Sequence, residues 1–110
     1  MTRDGAGDFG KPSPGDAGAG QRERREVFYS GHVQGVGFRY TTRSIATQLP
    51  VVGLVRNLPN GQVQLVVEGS PAAIDELLAR VEAELGRYIR GREVSVRPAQ
   101  GEFSSFDVVR

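Results

Sequence analysis

Val27-Phe28-Tyr29-Ser30-Gly31-His32-Val33-Gln34-Gly35-Val36-Gly37-Phe38-Arg39 runs from a segment of β-formers, through a loop punctuated by three glycines, into the start of a helical pattern. Val27 to Ser30 reads as a strand closed by Gly31. From Phe38 onward, Thr42, Ile45, Ala46 and Leu49 recur at helical spacing, so an amphipathic helix follows the loop until Pro50 stops it. Val51 to Asn57 predicts a second strand and Gln62 to Glu68 a third, with Val63, Leu65 and Val67 on one face. Asn60-Gly61 between them tolerates the positive φ of a tight hairpin. Ser70 then offers an N-cap and Pro71 a first helical residue. Ile74, Leu77, Leu78, Val81 and Leu85 form the apolar stripe of a second helix that should fray near Gly86, before short strands at Glu93 to Arg97 and Phe106 to Val109. Strand, helix, strand, strand, helix, strand predicts an α+β fold of the ferredoxin-like split β-α-β kind. It is a sandwich in which two helices cover one face of an antiparallel sheet.

At 110 residues the chain suits one small domain. Residues 1–25 are dominated by Gly, Ala, Asp, Pro, Ser and Arg, which bury too little surface to offset ordering entropy, so they are expected to be a disordered tail ahead of a domain at 26–110. Arg22, Arg24 and Arg25 read as a solvated edge before the first strand. Gly5-Ala6-Gly7-Asp8-Phe9-Gly10 matches a dinucleotide fingerprint in letters only, because no strand precedes it and no helix follows. Fourteen Lys and Arg against thirteen Asp and Glu remove the long-range attraction expected of a nucleic-acid or membrane binder. There is no cysteine and one histidine, so thiolate chemistry is excluded and a metal site is not expected. No apolar run approaches the ~20 residues of a membrane span, and no signal peptide is recognisable, so the expected compartment is the cytoplasm.

The loop carries the chemistry. Gly31, Gly35 and Gly37 let successive N–H groups turn toward one point, and Arg39 adds a permanent forked cation in the first helical turn. A cation there opposes the helix macrodipole, so the arrangement makes best sense with an anion between them, and phosphate is the expected ligand. The amides from Val33 through Gln34, Gly35, Val36 and Gly37 to Phe38 are the expected binding groups. His32, Gln34 and Arg43 read as loop or surface side chains, and Phe38 and Tyr40 as packing residues. An RNA-recognition strand is a poorer reading of Gly35-Val36-Gly37-Phe38-Arg39-Tyr40, because the segment opens a helix.

Gly31-His32-Val33-Gln34-Gly35-Val36-Gly37-Phe38-Arg39, followed by Gly53-Leu54-Val55-Arg56-Asn57 and Asn60-Gly61-Gln62-Val63, resembles the acylphosphatase family. The likeness runs from about Val27 to Val109. It implies hydrolysis of carboxylic-phosphoric mixed anhydrides to a carboxylate and inorganic phosphate, without a cofactor or metal. By position it makes Arg39 the phosphate-binding arginine and Asn57 the residue that positions water. Its partners would be a small acyl phosphate and the phosphate product, with no nucleic acid or membrane, and the protein is expected to be a monomer. The chemistry agrees: a carboxylate leaves without a general acid, so the missing histidine or carboxylate pair is no obstacle.

Overall fold

The alternation that marks Val27 and Tyr29 as inward-facing places both side chains fully inside the protein, on the sheet face that the two helices cover. In a computed structural model describing residues 21–110, the chain forms β1 (Glu23–Gly31), α1 (Phe38–Ala46), β2 (Val51–Asn57), β3 (Val63–Gly69), α2 (Pro71–Leu85), β4 (Ile89–Pro98) and β5 (Phe106–Val109). The sheet has five strands in the order β4-β1-β3-β2-β5. All neighbours are antiparallel except β2 and β5, which run parallel. The expected α+β sandwich is therefore observed.

Period-two patterning builds the core. Val27 and Tyr29 of β1, Val51 and Val55 of β2, and Val63, Leu65 and Val67 of β3 are buried with Phe38, Ile45, Ile74, Leu77, Leu78 and Val81 of the helices. Ser70 caps α2 by accepting from the Ala73 amide at 3.2 Å, and Pro71 opens the helix. Its missing N–H costs nothing there, because first-turn amides have no intrahelical acceptor.

Three boundaries differ from the sequence reading. The segment expected as tail lies outside the described residues only through residue 20, because β1 already begins at Glu23. Arg24 and Arg25 are strand residues, not a solvated edge: Arg24 donates to Glu68 at 2.8 Å and Arg25 to Asp75 at 2.6 Å. Salt bridges to opposite faces let a charged stretch sit in a central strand, which hydrophobicity alone does not reveal. Helix α1 ends at Ala46, three residues short of Leu49, where the Gln48 and Leu49 amides switch to the carbonyls of Ile45 and Ala46. That tightening keeps Leu49 against the core. Strand β4 is longer than expected at both ends and mostly exposed, so its inward pattern is blurred.

The connection from β4 to β5 traverses from one sheet edge to the other, held midway by Glu68. This side chain is only 1% exposed and accepts from Arg24 Nε, the Gln100 amide at 2.8 Å and the Gly101 amide at 3.0 Å. Burial alone would raise its pKa, but the bonds from Gln100, Arg24 and Gly101 hold it below the usual carboxylate range.

Candidate active site

Sheet register brings the two halves of the site together. Val63 lies opposite Tyr29 on one side and Asn57 on the other, so Tyr29, Val63 and Asn57 form one row across the helix-covered face. The Tyr29 ring packs against Phe38, the first residue of α1, with centroids 5.2 Å apart. Asn57 thus comes to the N-terminal end of α1, where Arg39 lies, although 17 residues separate the two in the chain.

The loop between β1 and α1 is fixed by specific contacts. Gly31 has φ 126° and lies so close to the entry into β4 that a Cβ would stand 2.4 Å from the carbonyl oxygen of Tyr88, the residue before that strand, so only glycine fits. That same carbonyl accepts from the His32 amide at 2.8 Å. Val33 is fully buried and anchors the loop to the core. Gln34 donates from Nε2 to the carbonyls of Leu58 and Gln62, at 2.8 and 2.9 Å, tying the loop to the β2–β3 hairpin. Gly37, with φ 80°, is the N-cap of α1 and brings no side-chain cap. The first amides of the helix are therefore left to an external acceptor.

Val33, Gly35, Gly37, Phe38, Arg39, Tyr40 and Asn57 line a recess of about 280 Å³ at this point. No carboxylate is among its lining residues. Arg39 is half-buried and donates from Nη1 to the Val109 carbonyl at 3.2 Å, which fixes one arm of the guanidinium and leaves the other donors to a ligand. Asn57 Oδ1 is buried and has no hydrogen-bond partner among the described residues. A buried acceptor left unpaired costs about 1–3 kcal/mol, so its retention on a residue that lines the recess points to a role with a ligand or water.

Of the expected site residues, Arg39, Asn57, Val33, Gly35, Gly37 and Phe38 meet around the recess. Gln34 and Val36 do not line it: Gln34 is the tether to the hairpin, and Val36 packs on the core. Arg43 turns to the Phe106 carbonyl instead. Tyr40 was expected to pack, yet it is 56% exposed and lines the recess. Helical arithmetic would have found it, because Tyr40 and Ser44, one turn apart, share the exposed face of α1. Among the described residues no cluster of His, Cys, Asp or Glu could hold a metal ion, and no helix is long and apolar enough to cross a membrane.

The chain is similar to known proteins over most of its length. The acylphosphatase family model matches residues 25–108. Similar relatives include the acylphosphatase of Rubrobacter xylanophilus, 45% identical over 91 residues, covering 82% of this chain and 83% of the relative. The acylphosphatase of Arthrobacter sp. is also 45% identical, over 96 residues, with coverage of 86% and 87%. Among solved structures, acylphosphatase from Bacillus subtilis superposes with a TM-score of 0.72 at 24% identity, covering 80% of this chain and 99% of that one, a likeness of fold.

Proposed function

Because the chain belongs to the acylphosphatase family, and so hydrolyses acyl phosphates to a carboxylate and inorganic phosphate, we propose that the reaction takes place in the recess shared by Arg39 and Asn57. The loop amides from Val33 to Phe38 and the Arg39 guanidinium hold the phosphoryl group. Asn57 places the attacking water.

Phosphoryl transfer passes through a loose state with charge spread over three equatorial oxygens, so the protein contributes positioning and charge stabilisation more than covalent chemistry. Glycine-freed amides and a tethered guanidinium are pre-organised donors for those oxygens. The Val109 carbonyl holds Arg39 by one arm, which reduces the side-chain freedom lost on binding. The scissile bond links phosphorus to a carboxylate oxygen, and that carboxylate is stable as it leaves. Asn57 Oδ1 accepts a hydrogen bond from the attacking water and fixes its line of approach, and the water's proton passes to a phosphoryl oxygen of the substrate. An amide does this at any working pH without acting as a base. The observation that carries the reading is that Asn57, whose buried Oδ1 has no partner among the described residues, lines the same recess as Arg39.

The test is hydrolysis of benzoyl phosphate by chelator-treated protein, with inorganic phosphate as competitor. Arg39→Ala should lower kcat/KM by at least about a hundredfold, the scale seen when one oxyanion donor is lost, and should abolish phosphate inhibition. Inhibition retained by Arg39→Ala would overturn the assignment.

A further inference from the structure

Tyr40 belongs to two concavities at once. It forms part of the wall of the recess, and it also begins a groove of about 680 Å³ between α1 and α2, lined by Thr41, Ser44, Ile45, Arg80 and Ala83 among others. Thr41 and Ser44 on α1 and Ala83 on α2 are small residues of the groove's lining, and Glu84 is its one carboxylate. Farther along, Arg80 of α2 donates to Gln48 in the turn after α1 at 2.6 Å. At the recess end, the Arg39 guanidinium carbon lies 5.9 Å from the centroid of the Tyr40 ring, so the ring stands beside the expected phosphate position. A 56% exposed aromatic ring at that place has no core to serve.

We propose that the Tyr40 ring and the mouth of the adjoining groove form the acyl-group subsite, and that it takes aromatic acyl groups. This rests on the recess being the phosphoryl site. In an aroyl phosphate the carbonyl carbon joins the ring directly and lies one oxygen from phosphorus. With the phosphoryl group beside Arg39, the aryl ring is therefore brought to the recess wall, where Tyr40 offers a face for stacking. Offset or tilted ring pairs add roughly two- to tenfold in affinity beyond area burial. A methyl group in the same position meets only the edge of that surface. The subsite sorts substrates by their acyl portion, while the loop and Arg39 bind the part common to all.

The experiment compares benzoyl phosphate with acetyl phosphate on the full chain, using wild type, Tyr40→Phe and Tyr40→Ala, with inorganic phosphate inhibition measured for each. Tyr40→Ala should lower kcat/KM for benzoyl phosphate by about fivefold, mainly through KM, and change that for acetyl phosphate by less than twofold. Tyr40→Phe should retain the benzoyl preference, and phosphate inhibition should stay unchanged in both variants. Equal losses on the two substrates would show that Tyr40 acts through Arg39, and an unchanged benzoyl value would show that the ring is not in contact; either result overturns the subsite. Retained phosphate inhibition in the same assays would leave the phosphoryl site standing.

Discussion

Replacing Asn57 by alanine should move stability and turnover in opposite directions. Its Oδ1 is buried without a partner among the described residues, and removing such an acceptor recovers part of the 1–3 kcal/mol that burial costs, here about 1 kcal/mol once the lost side-chain contacts are subtracted. For a domain of this size that corresponds to a melting temperature raised by about 5 °C. Turnover should fall on the order of a hundredfold, because the attacking water loses its alignment. Inhibition by inorganic phosphate should survive, since Arg39 and the loop amides are untouched. The assay is a thermal melt, benzoyl phosphate kinetics and phosphate competition on one preparation. A drop in stability of more than about 1 kcal/mol with activity falling in proportion would refute the reasoning, as Asn57 would then be an ordinary structural residue. Loss of phosphate inhibition would refute it from the other side.

Glu68→Ala should destabilise the protein by about 3 kcal/mol, the lower end for a broken buried ion pair, because Arg24 keeps its bond to Glu102; denaturant titration measures it. The Glu68 carboxyl is depressed in the folded state, so its contribution is complete above the unfolded carboxylate value of about 4.3 and is lost as pH falls from there through the folded value. Melting curves from pH 6 to pH 2 should accordingly show a shallower acid-side slope in Glu68→Gln than in wild type. Gly53→Ala should yield little folded protein by circular dichroism, because φ is 152° and a Cβ would stand 1.9 Å from the Val66 carbonyl oxygen.

Element order, the hairpin and the phosphate loop were legible because each rests on local chemistry: glycine tolerance of positive φ, proline termination, and periods of 2 and 3.6 residues. The meeting of Asn57 with Arg39 was legible only through resemblance. Physically it depends on the register that aligns Tyr29, Val63 and Asn57, and no single segment encodes that register. Glu68 was read only as the end of a strand, since its partners at residues 24, 100 and 101 are distant in the chain. The start of β1 was hidden for the same reason, charged residues being strand-competent once their partners sit across the sheet. Tyr40 departs from the packing expected of an aromatic because it stands on the outer face of α1.

The bond between Arg39 and the Val109 carbonyl has a consequence for synthesis on the ribosome. The residues of the phosphate loop and α1 are translated early, but the strand that steadies the arginine comes last among the elements of the sheet. A nascent chain lacking Phe106–Val109 would expose the parallel edge of β2 and leave the guanidinium untethered. The strand at the sheet's parallel edge thus latches a side chain set on a helix some seventy residues earlier in the chain.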